Sequence, residues 1–316
     1  MTKKIGAGGM GTVFVAYLQD SDEQVALKIC DGGDQMRAQR ESDILRRLQM
    51  IENHDNVVRF IESATHNNHF VIIMELVKGE SLQQWLERKG RASLQESKDI
   101  MLGVAAGMSE VHKIDIAHRD LKPGNIMFDE CTGKVVIVDF GLSKQANVSQ
   151  TITMGASFGL GTKAYMSPEQ AESLFDQVGM PSDIWSIGVV WYEMLAGITP
   201  FEPIRGNDSA RWGSCSSNDL ANSNLRVGNN NPRHESKTIM SICEEKIDWV
   251  RVPGDLPPSI KASMEKCLEK KKEKRFQTAS ELLSHIKGVF ALLDAAPDAA
   301  TENNSSAKPL ARWSVT

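Results

Sequence analysis

Around the polar turn Gln19-Asp20-Ser21-Asp22-Glu23 apolar and polar side chains alternate, and Gly11 to Tyr17 and Gln24 to Cys30 read as the two strands of a hairpin. From Met36 to Met50 the period lengthens, and Ile44, Leu45 and Leu48 fall on one face of a helix. Val57 to Ser63 and Phe70 to Leu76 return to the strand pattern, joined by His66-Asn67-Asn68-His69. Two histidines at that spacing invite a metal ion. A metal site wants three or four ligands, however, and no third is suggested nearby, so the segment reads as a polar hairpin tip.

Beyond Ser81 the spacing becomes helical. Ser81 caps a short helix ending at Arg88, and Ser93 with Glu96 forms a capping box for a long one running to about Lys113. Asn125 to Phe128 and Lys134 to Val138 are short strands. Asp183 to Ala196 has few polar positions and is expected inside the larger part of the molecule. Further helices are expected at Lys237 to Lys246, Pro258 to Lys270 and Thr278 to Leu293. Residues 206–236, rich in Asn, Ser and Gly, predict a flexible insertion, and residues 294–316 predict a disordered tail in which Trp313 is an unexplained apolar anchor.

Composition narrows the classes. A chain of 316 residues, 41% hydrophobic and 24% charged, is an ordinary globular protein with room for about two domains or one bilobal unit. The formal net charge of −5 leaves no overall basic field for nucleic acid or an anionic membrane. The densest basic run, Lys270-Lys271-Lys272-Glu273-Lys274-Arg275, reads as a solvated helix face. Five cysteines without a C-x-x-C pair argue against a disulfide framework or zinc knuckle and for a reducing compartment. With no leader pattern and no apolar run long enough to span a membrane, the expectation is a cytoplasmic protein, with the nucleus as the alternative.

The chemistry begins at Ile5-Gly6-Ala7-Gly8-Gly9-Met10-Gly11-Thr12-Val13-Phe14-Val15-Ala16. Gly6-x-Gly8-x-x-Gly11 suits two phosphate-binding devices: the helix-opening turn of a dinucleotide fold, or the turn of a strand hairpin laid over phosphates. The β-branched and aromatic residues after Gly11 favour the hairpin, and little chain precedes the glycines to form a buried parallel strand. Far downstream stands His118-Arg119-Asp120-Leu121-Lys122-Pro123-Gly124-Asn125, followed fourteen residues after Asn125 by Asp139-Phe140-Gly141. Val25-Ala26-Leu27-Lys28, Ser167-Pro168-Glu169 and Asp183-Ile184-Trp185-Ser186 complete an ordered set.

That set resembles the eukaryotic-type serine/threonine protein kinase family from residue 3 to about 290. The resemblance implies an α+β, bilobal fold, with a small antiparallel sheet plus one helix in one lobe and a larger, mainly helical lobe. It places the smaller lobe at residues 1–74, a hinge at 75–79 and the larger lobe at 80–293. It also implies ATP and Mg²⁺, with Mn²⁺ as an alternative, and protein substrates bearing serine or threonine hydroxyls.

Roles carry over residue by residue. Gly6, Gly8, Gly9, Met10 and Gly11 would cover the phosphates, and Lys28, paired with Glu41 of a Glu41-x-x-x-Leu45-x-x-Leu48 helix, would reach them. Taken alone, Lys28 is most simply an exposed strand lysine. Asp139 and Asn125 would hold the metal, Asp120 would accept the hydroxyl proton, and Lys122 would neutralise the transferring phosphoryl group. The base would lie between Ile5, Val13 and Ala26 on one side and Met127 on the other, meeting the backbone of Glu75-Leu76-Val77, with Met74 limiting the back pocket. His118 reads as structural, packed near Phe140, and Glu169 with Arg275 as a buried ion pair. The Lys122-Pro123 form of the loop, Gly161-Thr162 and Tyr165 to Glu169 point to serine/threonine rather than tyrosine acceptors.

The resemblance also places an activation segment at 139–169, where Thr151, Thr153 and Ser157 offer hydroxyls whose phosphate Arg119 could bind. Three features depart from the family: few residues before Ile5, Ser167 where alanine is commoner, and the insertion after Phe201-Glu202-Pro203, which with the next helix makes 206–246 a docking candidate for a partner. Two other readings compete with an active kinase. One is a catalytically weak pseudokinase or signalling scaffold; the other is a kinase-like enzyme for small molecules, whose members typically lack the Lys122 loop and Ser167-Pro168-Glu169.

Overall fold

The computed structural model describes residues 3–8, 11–18, 22–30, 35–51, 55–67, 69–140, 160–201 and 232–295. Strands β1 (Lys3–Gly8), β2 (Gly11–Tyr17), β3 (Gln24–Cys30), β4 (Phe60–His66) and β5 (His69–Glu75) form one antiparallel sheet in the order β1-β2-β3-β5-β4. The strand before the glycines runs on through Gly6 to Gly8 and pairs with β2 from Lys3↔Val15 to Gly8↔Gly11. A bulge between Lys4 and Gly6 leaves Ile5 out of register, 48% exposed. Helix α1 (Gln35–Leu48) packs on this sheet through buried Leu45 and Leu48, and the hydroxyls of Ser42 and Ser63 meet at 2.6 Å.

The expected strand Val57 to Ser63 is two structures. Val57 bridges in parallel to Ile137, the Val58 N–H donates to the Ile137 carbonyl at 3.0 Å, and β4 starts only at Phe60. Residues 56–58 lend their backbone to a second sheet, of β6 (Glu80–Ser81), β7 (Ile126–Asp129) and β8 (Lys134–Ile137). At the tip between β4 and β5, Asn67 adopts φ 47° and the His69 Nδ1–H donates to its carbonyl at 2.9 Å.

The larger lobe holds α2 (Leu82–Lys89), α3 (Leu94–Lys113), α4 (Pro168–Ala171), α5 (Met180–Ala196), α6 (Pro232–Glu244), α7 (Pro258–Cys267) and α8 (Ala279–Ala295). Ser81 caps α2 and Ser93 forms the expected capping box with Glu96; Ser81 also makes a box, with Gln84. Helix α5 is buried almost throughout and carries Trp185, Trp191 and Tyr192 into the core, against α3, α7 and α8. Among the described residues no helix is long and apolar enough to cross a membrane.

Three expectations need correction. Helix α6 starts at Pro232, so residues 232–236 of the expected insertion are helical; proline suits the first helical position because no N–H is needed there. Helix α8 reaches Ala295, and Asp294 of the expected tail accepts from Lys98 Nζ at 2.6 Å. Helix α7 stops at Cys267, so the basic run is not a solvated helix face. Lys270 Nζ donates to the Ile242 carbonyl at 2.6 Å and lies 4.0 Å from the Phe201 ring centroid, where burial pushes its ammonium down to about 8. Arg275, at the end of the run, is 2% exposed.

Candidate active site

The loop 118–125 is held from below by one carboxylate. Asp183, in the first turn of α5, accepts the backbone N–H groups of His118 at 2.8 Å and Arg119 at 2.7 Å. His112, near the end of α3, holds the same carboxylate at 3.1 Å through Nε2 while its Nδ1 accepts the Ala279 N–H at 2.9 Å. This clamp keeps Arg119 at φ 64°, a conformation a bulky residue adopts only when its surroundings impose it. Neither His112 nor Asp183 stood out in the sequence as a positioning group. The available signal was a carboxylate in the first turn of a largely apolar helix.

His118 is fully buried, 4.9 Å from the Phe140 ring centroid. Its Nε2–H donates to the Val138 carbonyl at 3.3 Å and its Nδ1 accepts the Asp120 N–H at 3.3 Å. Burial pushes the imidazole below its ordinary value, against the pull of Asp183 and Asp120, which agrees with a neutral ring.

Above this base the charged groups converge. Lys122 Nζ donates to Asp120 Oδ2 at 3.1 Å, and Asn125 Nδ2 donates to the Asp120 carbonyl at 2.9 Å. The Asn125 N–H and carbonyl are tied to the Lys122 carbonyl and the Val138 N–H, each at 2.9 Å. Lys28 Nζ crosses from β3 to donate to Asp139 Oδ1 at 2.7 Å. Asp139 stands at φ 54°, its side chain 38% exposed. Burial alone would raise its carboxyl, but the charge and hydrogen bond of Lys28 outweigh that and hold it below the ordinary carboxylate value. Lys28, Asp120, Lys122, Asn125 and Asp139 are thus brought together.

Glu41 lies on α1, but its side chain is outside the described residues, as are Gly9, Met10 and the hydroxyls of Thr151, Thr153 and Ser157. On the sheet, Val13 pairs with Lys28 and Ala26 with Met74. Gly6 pairs with Val13. Gly11 has φ 127°, and a Cβ there would meet the Ile29 carbonyl oxygen at 2.1 Å, so only glycine fits. Glu75 accepts the Arg59 N–H through its carboxylate at 3.1 Å, Val77 packs against the core beyond it, and Met127 faces Val136 across β7 and β8.

Arg275 meets Glu169 with two parallel hydrogen bonds, at 2.8 and 2.9 Å, and Ser182 Oγ donates to the same carboxylate at 2.7 Å. Ser167 is the N-cap of α4, its hydroxyl accepting the Gln170 N–H at 3.4 Å, and Gln170 Nε2 donates to the Arg119 carbonyl at 2.9 Å. A small cavity opens between Arg119, Asp120, Tyr165 and Gln170. Arg119 Nε is buried and has no partner among the described residues; burial lowers the guanidinium pKa, opposed by Asp183.

Residues 1–286 match the protein kinase domain family, and the chain belongs to it. The chain is 38% identical over 204 residues to the serine/threonine-protein kinase PknA of Corynebacterium glutamicum, which covers 62% of this chain and 42% of that protein. It is 33% identical to PrkC of Bacillus subtilis, over 63% of this chain and 30% of that protein, and 33% identical to SAPK3 of Oryza sativa, over 63% and 58%. The chain therefore spans less than two thirds of the length of these curated relatives. Membership of the family carries with it the use of ATP and a divalent cation.

The donor set suits such a cation. Asn125 directs its side-chain nitrogen to the Asp120 carbonyl, which leaves its side-chain oxygen, with the second Asp139 oxygen, as hard ligands of the kind Mg²⁺ takes.

Proposed function

We propose that this chain is an ATP-dependent serine/threonine protein kinase. The observation that carries the reading is the 2.7 Å ion pair that draws Lys28 of the small lobe onto Asp139 of the large one. It closes two sequence-distant groups on the cleft that also holds Asp120, Lys122 and Asn125. When bound, ATP would supply the phosphoryl group and Mg²⁺ the positive charge that offsets its phosphates.

This chain's residues do the rest. Lys28, in register opposite Val13 of the glycine strand, would offer a point charge to the phosphates, and Glu41 is the partner the family resemblance assigns to it. Asn125 and Asp139 provide the cation's oxygen ligands. Asp120 orients an acceptor hydroxyl and takes its proton, and Lys122, 3.1 Å from Asp120, offsets negative charge as the hydroxyl is engaged. In this reading Ile5, Gly6, Gly8, Gly9, Met10 and Gly11 would cover the phosphates, Ile5, Val13, Ala26 and Met127 would enclose the base with Met74 behind it, and the backbone from Glu75 to Val77 would meet its edge. Serine and threonine are the acceptors, as the names of the relatives say of those proteins.

Arg119 fits a regulatory role in the same reading: its guanidinium, with one buried nitrogen that has no partner among the described residues, would take a phosphate carried by Thr151, Thr153 or Ser157.

The test is to incubate the protein with ATP, Mg²⁺ and a generic protein substrate and to identify the modified side chains by mass spectrometry. Phosphoserine or phosphothreonine in the substrate is the expected result. Phosphotyrosine alone, or no modification, overturns the proposal. The same spectra of active protein, if Thr151, Thr153 and Ser157 are all unmodified, remove the regulatory part.

A further inference from the structure

Besides the Lys28–Asp139 pair from β3, a side chain of α1 also reaches the large lobe. Arg47, in the last turn of α1, donates from Nη2 to the carbonyl of Ile114 at 2.6 Å, across 67 residues of sequence. Ile114 is the C-cap of α3. There the chain reverses: Asp115 takes φ 56°, its N–H returns to the His112 carbonyl at 3.0 Å, and the Ile116 N–H returns to Val111 at 3.3 Å. A helix C-terminus presents outward-facing carbonyls at the negative end of its dipole, and an arginine there satisfies both the lone pair and the charge.

The position of this contact gives it meaning. Ile114 lies four residues before His118, and the chain between them leads from α3 into the loop of Asp120. Arg47 lies on the helix that carries Glu41 and whose Leu45 and Leu48 are buried in the core. Arg47 itself is exposed, so its guanidinium contributes little to packing. After α1, residues 56–58 join the large lobe through backbone bonds to β8, an Asn56 side-chain bond to Val135 at 2.7 Å and the buried side chains of Val57 and Val58. Arg47 thus gives α1 a side-chain hydrogen bond to the segment entering the loop.

We infer that Arg47 is a positioning residue that couples the placement of α1 to that of the 118–125 loop by holding the Ile114 carbonyl. The inference rests on the kinase reading for its effect on turnover, but not for the coupling itself.

Arg47→Met keeps the aliphatic length and removes the donors; Arg47→Lys keeps a cation that can reach a carbonyl. Hydrogen exchange of the backbone from 114 to 121 is compared among wild type and both variants, along with kcat, KM for ATP and melting temperature. Arg47→Met is expected to speed exchange over 116–120 by about fivefold and to lower kcat by a similar factor, with KM for ATP within about twofold of wild type. Arg47→Lys is expected to recover most of both effects, and both variants to melt within about 2 °C of wild type. Exchange in Arg47→Met equal to wild type, or Arg47→Lys as impaired as Arg47→Met, overturns the inference. A wild type that transfers no phosphate sinks the kinase reading, while the exchange comparison still decides the coupling.

Discussion

Asp139 and Arg119 both hold left-handed backbone conformations that cost on the order of 1–3 kcal/mol each, and each is held there by partners. Arg119 is fixed through its N–H by Asp183, and Asp139 by Lys28. A group held in place by neighbours needs little reorganisation when charge moves, and that is how the site is expected to work. Asp120→Asn keeps the size of the side chain and removes the proton acceptor. It is expected to lower kcat by about 10²- to 10⁴-fold while KM for ATP changes little, measured by steady-state kinetics. At this scale the sequence was informative about side chains with chemistry of their own, such as Lys28, Asp120 and His118. It was silent about Asp183 as a clamp, because its partners are two backbone N–H groups, which every residue but proline carries.

Between elements, the buried Glu169–Arg275 pair ties α4 to the turn before α8, with Pro181 of α5 accepting from Arg275 at 3.0 Å. Burial raises the Glu169 carboxyl, but the Arg275 guanidinium and the Ser182 hydroxyl outweigh it and hold the group below its ordinary value. Because the folded value is depressed, the unfolded chain takes up this proton first as pH falls. The stabilisation is full above the ordinary glutamate value of about 4.3 and is lost as pH drops through the folded value. Glu169→Gln is therefore expected to cost about 3–5 kcal/mol at pH 7 in urea melts, with the gap to wild type closing as pH is lowered toward 4 and below. Close packing gives a second expectation. A Cβ at Gly107 of α3 would lie 2.5 Å from the Asn56 carbonyl oxygen, whereas Gly254 has open space around it. Gly107→Ala should lose about 1–3 kcal/mol and Gly254→Ala close to nothing.

Element boundaries were legible where a cap marks them, as at Ser81 and Ser93. They were not legible where tertiary pairing decides, as at Val57, whose β-branched neighbours read as one strand until β8 claims residues 57 and 58. The Glu169–Arg275 contact was legible only through the family resemblance, since 106 residues separate its partners.

For the whole molecule, contacts between the sheet lobe and the helical lobe among the described residues include the Lys28–Asp139 pair, the Arg47–Ile114 contact and the pairing of residues 56–58 with β8. A ligand gripping both lobes adds its binding energy to folding: at a hundred times its Kd, ATP with Mg²⁺ should stabilise the protein by about 2.7 kcal/mol. Thermal melts should show a rise of several degrees that Lys28→Met largely removes. The bilobal plan was readable from the change of period near residue 80 and from the ordered motifs. How the lobes engage was not, because those contacts join positions 67 to 111 residues apart. The central claim is that this cleft moves the γ-phosphoryl group of ATP to protein hydroxyls. Its most direct measurement is transfer of γ-labelled phosphate to a protein substrate by wild type and Asp139→Asn in parallel. Label on serine or threonine with wild type, and its loss in the variant, is the predicted result; no label with wild type, or equal label with both proteins, would contradict the account.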